Sequence, residues 1–152
     1  MPRSYDHHAF LAQLHLQGND FLRTTIPSEL GQLTNLTSLS LELNRLGGSI
    51  PSTLGNLHRL RTFHLEVNQL TGNLPTEFGQ LKSLRTLMIW GNRLEGIIPQ
   101  QVCNLWDGNL TRLADPRCTA IAYGGLQCLN RPCCHECPTY PVISEPQGSN
   151  RP

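Results

Sequence analysis

The chain of 152 residues lacks an excess of charge of either sign, a long apolar run and any cysteine before residue 103. Twelve basic residues stand against eleven acidic ones, so we expect no nucleic-acid partner and no anionic membrane surface as partner. No apolar run is long enough to span a bilayer, which excludes direct membrane insertion of this chain, and the first residues do not form a secretory signal. The sequence contains no GxSxG elbow, P-loop or kinase signature. It therefore indicates no enzyme and no cofactor.

Residues 26–99 instead repeat nearly the same sequence three times. Prolines, glycines and asparagines each recur at intervals of 24 residues. A fixed period in the twenties predicts a solenoid built from one structural unit per coil. The shared kernel is LxxLxLxxNxL, which occurs as Leu36-Leu39-Leu41-Asn44-Leu46, Leu60-Phe63-Leu65-Asn68-Leu70 and Leu84-Leu87-Ile89-Asn92-Leu94.

This kernel resembles the leucine-rich repeat family, and the trailing GxIP or LP resembles the plant-type class of that family. The resemblance implies an α/β solenoid of about four to five right-handed coils. It also implies a parallel β-sheet on the concave side and short 3-10 or helical turns on the return side.

The alternation of apolar and polar residues around each kernel predicts a short strand that buries one face, as in Ser38-Leu39-Ser40-Leu41-Glu42. Two further leucine columns point inward from the return side, so neighbouring coils bury each other's leucines. The asparagines are expected where each strand turns away from the sheet, where a side-chain amide can bond to turn backbone. We predict a structural ladder of Asn19, Asn44, Asn68 and Asn92.

The domain boundaries follow from where the pattern starts and stops. Residues 1–10 form a polar stub without a proper cap, residues 11–115 the solenoid, residues 103–137 a cysteine-rich C-terminal cap, and residues 138–152 a proline-rich disordered tail. Asp115 occupies a core position and ends the predicted sheet. Because no N-terminal cap is visible, our hypothesis is that the chain is a fragment or a mis-started gene model, with further repeats preceding it in the full-length protein.

All six cysteines lie at the C-terminal end of the repeats, where a covalently closed cap would cover the last coil. The cysteine run resembles the C-terminal caps of secreted plant-type and diatom leucine-rich repeat proteins. We favour three disulfides without choosing a pairing, and the alternative is a zinc site around Cys134-x-x-Cys137 with His135. The predicted disulfide cysteines are Cys103, Cys118, Cys128, Cys133, Cys134 and Cys137.

Two N-glycosylation sequons agree with an oxidising compartment. Asn35-Leu36-Thr37 is expected to be exposed on the return side of a coil, and Asn109-Leu110-Thr111 lies in an insertion. Together with the terminal cysteines, they predict an extracellular or cell-surface location.

The outward positions of the predicted strands form columns along the concave sheet, about 4.8 Å apart from coil to coil. Trp90, Met88 and Val67 are apolar residues at positions that face water, as in binding hot spots. The alternative is that Trp90 only covers the edge of the last coil. The candidate ligand-binding residues are His15, Gln17, Ser40, Glu42, Thr62, His64, Glu66, Val67, Met88 and Trp90.

His64, Glu42 and Glu66, with His15, are placed to form a patch, and imidazole with carboxylate is a metal-binding or acid–base set. We expect neither role and no metal. The concave face is open to water, nothing nearby is expected to desolvate these groups, and no nucleophile lies beside them.

Two functions from different classes remain. The first is an extracellular recognition module, as in plant-type receptor ectodomains or secreted inhibitors, which binds a protein, peptide or glycan through its concave or flank surface. The second is a structural or cell-surface coat protein, in which each outward column would carry identical residues. The varied concave columns favour recognition.

Overall fold

The computed structural model describes residues 11–19 and 24–105, together with the backbone of residues 112–114. The predicted stub, the tail, Asn109 and every cysteine except Cys103 lie outside these residues. The proposed fragment boundaries and cap therefore stay predictions.

Each coil begins at a β-strand and returns through a short helix. The strands are β1 (Gln13–His15), β2 (Ser38–Ser40), β3 (Gly47–Ser49), β4 (Thr62–His64), β5 (Gln69–Gly72), β6 (Thr86–Met88), β7 (Arg93–Leu94) and β8 (Arg112–Ala114). Strands β1, β2, β4, β6 and β8 form one sheet in that order, with every neighbour parallel. The predicted leucine-rich repeat solenoid with a parallel sheet is confirmed.

The register of this sheet repeats the sequence period. Leu14 pairs with Leu39, Leu39 with Phe63, and Phe63 with Leu87. Equivalent residues of successive coils therefore lie side by side, so each outward position forms a continuous column on the concave face.

A second parallel sheet, formed by β3, β5 and β7, was not predicted. Its strands follow the asparagine turn and contain Gly47, Gly48 and Gly72. Glycine-containing segments lack the apolar alternation that identifies strands in a sequence. Only backbone pairing between stacked coils defines them.

The return side consists of 3-10 helices at Ser28–Gln32, Ser52–Asn56 and Thr76–Gln80, followed by the α-helix α1 at Gln100–Cys103. A proline precedes each, in an extended conformation that turns the chain into the helix. Successive helices pack so closely that a Cβ on Gly55 would lie 2.6 Å from the carbonyl oxygen of Glu77. This contact explains the glycine column, because any side chain there would push the coils apart.

The core is a single column of buried aliphatic and aromatic side chains along the solenoid axis. Leu39, Phe63 and Leu87 of the strands are fully buried, and the rings of Phe63 and Phe78 lie 5.6 Å apart between centroids. Leu14, the equivalent residue of the first coil, is only half-buried, as is Leu16 two residues later. Full burial of one such side chain contributes about 1.5–3 kcal/mol, so the central coils carry most of the stability.

The asparagine side chains bond to turn backbone and also connect adjacent coils. The Asn92 side-chain nitrogen donates to the carbonyl oxygens of Leu65 and Ile89 at 2.9 and 3.0 Å, and its oxygen accepts from the N–H of Leu70 at 3.1 Å. Asn68 makes the same pattern, whereas Asn44 donates to equivalent carbonyls but accepts from the N–H of Asn19 at 2.9 Å. Asn44 and Asn68 are buried, and Asn19 is exposed. The ladder satisfies turn backbone that the core would otherwise leave unpaired.

Candidate functional site

The concave sheet continues past its strands for a few residues before the chain turns away. Leu41 N donates to the carbonyl of His64 at 2.9 Å, and Leu65 N to that of Met88 at 2.8 Å. The residues that follow occupy equivalent positions on neighbouring coils and form a surface at the carboxyl ends of the strands. We call this surface the strand-end strip. It consists of His64, the last residue of β4, and of Glu42, Leu43, Glu66, Val67 and Trp90, which follow their strands.

A residue with left-handed backbone lies three positions after the end of β1, β2, β4 and β6. Gly18 and Gly91 have φ of 71° and 69°, and Leu43 and Val67, at the same position, both have φ of 56°. The amide groups of Gly18, Leu43 and Val67 donate to the next coil, as in Leu43 N to Glu66 O at 3.0 Å. Glycine adopts this conformation without strain, but a bulky or β-branched side chain does not. Leu43 and Val67 are therefore strained residues at the edge of the concave face.

Leu43 is absent from the sequence-based set of site residues, although it is 55 % exposed. The sequence signal that could have identified Leu43 is the set of residues at the equivalent position of the other coils, which includes Gly18 and Gly91. Glycine at this position in two of four coils indicates that the backbone must adopt a left-handed conformation. A leucine there is unusual in two respects, its positive φ and its exposed apolar side chain.

His64 lies between two carboxylates. Its Nδ1 is 3.9 Å from Oε1 of Glu42 and 3.8 Å from Oε1 of Glu66. The other oxygen of each carboxylate, Oε2, is buried and has no hydrogen-bond partner. Among residues 11–19 and 24–105, no ion pair joins His15 to this group.

The expectation that nothing desolvates these groups is wrong. The side chains of Glu42 and Glu66 are only 16 % and 14 % exposed. Burial raises the pKa of the Glu66 carboxyl above its ordinary value of 4.5, and the charge of Glu42 raises it further. Nearby backbone of Glu66 and Leu65 and the imidazole of His64 lower this pKa, but they do not outweigh burial. The reason is the tight stacking of coils, which lets side chains of adjacent strands shield each other even on an open sheet.

Trp90 continues the column of Glu42 and Glu66 on the next coil and is 36 % exposed. Val67 N donates to the Trp90 carbonyl at 2.9 Å. A Cβ on Gly91 would lie only 3.1 and 3.2 Å from the backbone N and Cα of Val67. The absence of a side chain on Gly91 therefore leaves room for Val67 beside Trp90.

The other predicted ligand-binding residues are distributed differently. His15 and Gln17 are exposed on the first coil, and Thr62 and Met88 are half-buried on the sheet. Ser40 is only 5 % exposed, which corrects its assignment as a contact residue. Its short side chain lies between His15 and His64 on the flanking strands and is shielded by them.

Three other sequence-based assignments concern modification and metals. Asn35 is half-buried rather than exposed, beside the fully buried Leu36. Cys103 takes part in a disulfide, and its partner lies outside the described residues. Within residues 11–19 and 24–105, no group of three or more His, Cys, Asp or Glu side chains is arranged to hold a metal ion. The helices of this region are all too short to cross a bilayer.

The return side carries columns of repeated chemistry. Ser28, Ser52 and Thr76 form a hydroxyl column, and an amide column contains Gln32, Asn56, Gln80 and Asn104, all of them exposed. The hydroxyls of Ser28 and Thr76 donate to the adjacent Glu29 and Glu77 carboxylates.

Comparisons with known proteins agree with this architecture. Residues 34–94 match the family model described as "Leucine rich repeat". No curated protein matches the chain.

Several solved structures are similar to the chain. One is the plant peptide hormone receptor RGFR1 in complex with RGF2, with a TM-score of 0.66 and 37 % identity over 70 % of this chain and 17 % of that one. Another is the ectodomain of the Arabidopsis thaliana receptor kinase GASSHO1/SCHENGEN3 in complex with CASPARIAN STRIP INTEGRITY FACTOR 2. Its TM-score is 0.61 at 32 % identity, over 77 % of this chain and 15 % of that one.

A third neighbour is a plant ice-binding protein, with a TM-score of 0.61 and 31 % identity over 64 % of this chain and 31 % of that one. The chain therefore spans less than a third of the length of each of these three relatives. The family model, the neighbours and the stacked parallel strands lead to one conclusion: the chain has the leucine-rich repeat fold of plant receptor ectodomains.

Proposed function

We propose that the chain is an extracellular, non-catalytic recognition module that binds a peptide or protein ligand through the concave face of its solenoid. The observation that carries this proposal is the strand-end strip. There, exposed apolar side chains, a strained backbone and carboxylates without full pairing lie on one side of an otherwise regular repeat. Features that a fold does not need and that cost stability point to a binding surface.

The comparisons support the same function. RGFR1 and GASSHO1/SCHENGEN3 are described in complex with RGF2 and CASPARIAN STRIP INTEGRITY FACTOR 2, respectively. The concave columns of this chain vary from coil to coil, as expected for recognition of one particular ligand rather than of a repetitive surface.

A random peptide library displayed on phage, selected against the secreted chain, tests this function. We expect enriched peptides whose affinity falls at least about tenfold in Trp90→Ala, because truncation of a central aromatic contact costs more than 1.4 kcal/mol. His58→Ala is the matched control, since His58 is an exposed ring on the return side. Failure to enrich any peptide, or equal loss of affinity in both variants, contradicts the proposal.

A second candidate is favoured by the hydroxyl and amide columns of the return side, which repeat in the way that a periodic surface would require. One neighbour is a plant ice-binding protein. Under this alternative, the return side binds ice, and replacement of Thr76 and Gln80 by Lys abolishes inhibition of ice recrystallisation. The concave-face proposal predicts no such activity in the wild-type chain.

A further inference from the structure

We infer that the strand-end strip selects a peptide in which an arginine side chain lies next to an aliphatic one. This inference deepens the proposed function and rests on it, because it assumes that the concave face binds a peptide. It names the chemistry of the ligand from three features of the strip: its charge, its strained apolar residues and its exposed aromatic ring.

The charge of the strip is incompletely balanced. Two carboxylates on adjacent coils approach a single imidazole nitrogen, at 3.9 and 3.8 Å. One N–H cannot satisfy two carboxylates, and Oε2 of each has no partner. The terminal torsion of glutamate is broad, so each carboxylate can turn to meet a donor that approaches from the ligand. A guanidinium group offers five donors in a planar fork that matches carboxylates, so it supplies what the strip lacks.

The two aliphatic residues of the strip, Leu43 and Val67, have a left-handed backbone conformation that their side chains disfavour. Leu43 has φ of 56° and is 55 % exposed. Packing of its side chain within the chain therefore offsets little of the backbone strain. Glycine at the equivalent Gly18 and Gly91 shows that the turn itself needs no side chain. Retention of a strained, exposed leucine beside Glu42 indicates a contact outside the folded chain. An aliphatic ligand side chain beside the cationic one would cover Leu43 and Val67.

Trp90 completes the surface. It lies one coil beyond Glu66 in the same column, and Val67 N donates to its carbonyl oxygen at 2.9 Å. A guanidinium that contacts Glu66 can lie flat against an adjacent indole, an arrangement that adds cation–π attraction and planar stacking. Lysine lacks the planar fork, so arginine fits the strip better.

Other occupants fit less well. The described residues hold no cluster suited to a metal ion. Phosphate groups of nucleic acid would be repelled by the two carboxylates. A second copy of the chain is excluded or identified by the experiment below.

The test is an NMR titration of the isotope-labelled full chain with the probe Ac-Leu-Arg-Leu-NH2. Its matched control is Ac-Leu-Cit-Leu-NH2, in which citrulline replaces the guanidinium by an uncharged urea of the same shape. The resonances to follow are the His64 ring, the Trp90 indole N–H and the Leu43 and Val67 methyl groups. Each titration is repeated with the double variant Glu42→Gln/Glu66→Gln and with Glu29→Gln, which removes one charge from the exposed return side.

We expect the arginine peptide to bind wild type and Glu29→Gln at least about tenfold more tightly than the citrulline peptide, with shifts confined to the strip. The double variant should lose this preference without melting below wild type. Absence of strip shifts up to about 10 mM peptide, equal affinity for both peptides, or an unchanged preference in the double variant overturns the inference. So does broadening of strip resonances with protein concentration alone, which indicates a second copy as the occupant.

The outcome is separable from that of the proposed function. If a phage library enriches peptides without arginine, peptide recognition stands and this inference fails. If no library peptide is enriched and the arginine probe gives no strip shifts, the proposed function fails together with this inference.

Discussion

Asn68 and Asn92, on adjacent coils, donate hydrogen bonds to the same carbonyl oxygen, that of Leu65, at 3.0 and 2.9 Å. Each asparagine thus belongs to two coils at once, and the backbone of Leu65 is held from both sides. This shared acceptor ties the end of one concave strand to the next.

Replacement of Asn68 by alanine tests this link. The change leaves the buried N–H of Leu46 without its acceptor at 3.1 Å and removes the donor to the Leu41 carbonyl at 2.9 Å. We expect a loss of about 3 kcal/mol in the free energy of unfolding, measured in urea. Asn56→Ala, on the exposed return side, is the control and should change it by less than about 0.5 kcal/mol. Similar losses in the two variants would refute a special role for the ladder.

Leu65→Ala tests the register of the solenoid. Leu65 is fully buried, so truncation should leave a cavity and cost about 2–5 kcal/mol. The same substitution at Leu43, which is 55 % exposed, should cost far less. Thermal unfolding of both variants makes the comparison, and an unaltered melting temperature for Leu65→Ala would be incompatible with the register described.

Leu43→Gly tests the strain at the left-handed turn. Compared with Leu43→Ala, it should be more stable by about 1 kcal/mol, because alanine keeps the Cβ that disfavours φ of 56° and glycine does not. The comparison with alanine separates relief of strain from loss of the leucine side chain. Thermal melts of the pair provide the measurement. A glycine variant that melts below the alanine variant would show that the turn is unstrained.

The pH dependence of Glu66→Gln tests the burial of that carboxylate. Since burial raises the pKa of Glu66 in the folded chain above 4.5, the ionised carboxylate lowers stability above that folded-state pKa. This effect disappears as the pH falls through the raised pKa towards the ordinary value, because the group is then neutral in both states. The neighbouring charges are Glu42 and His64.

Glu66→Gln should therefore melt higher than wild type at neutral pH, and the difference should shrink towards zero as the pH falls below 4.5. Differential scanning calorimetry between neutral and acidic pH measures it. Glu29→Gln, exposed on the return side, serves as the control. A Glu66→Gln variant that melts lower than wild type at neutral pH would mean that the carboxylate stabilises the fold.

The repeat architecture was predictable from sequence because the period of 24 residues places each leucine and asparagine in an equivalent environment. Asn44, Asn68 and Asn92 and the inward leucines therefore followed directly. The second sheet did not, since strands such as Gly47–Ser49 exist only through pairing between coils.

The site was only partly predictable. The column of Glu42, Glu66 and Trp90 followed from the period, but burial on the concave face depends on the sizes of neighbouring side chains. Ser40 is therefore buried, and Glu66 is desolvated, although the sequence predicts a concave face that is open to water. Glycine at the positions equivalent to Leu43 already indicated a left-handed turn in the sequence. Only the φ of 56° in the structure establishes that Leu43 is strained.

The central claim is that the concave face, at the ends of its strands, is the recognition surface. The most direct measurement is a map of backbone amide shifts when a library-selected peptide is added to the labelled chain. We expect the largest changes at Glu42, Leu43, Glu66, Val67 and Trp90. Changes centred instead on the return-side amide column of Gln32, Asn56, Gln80 and Asn104 would contradict the claim.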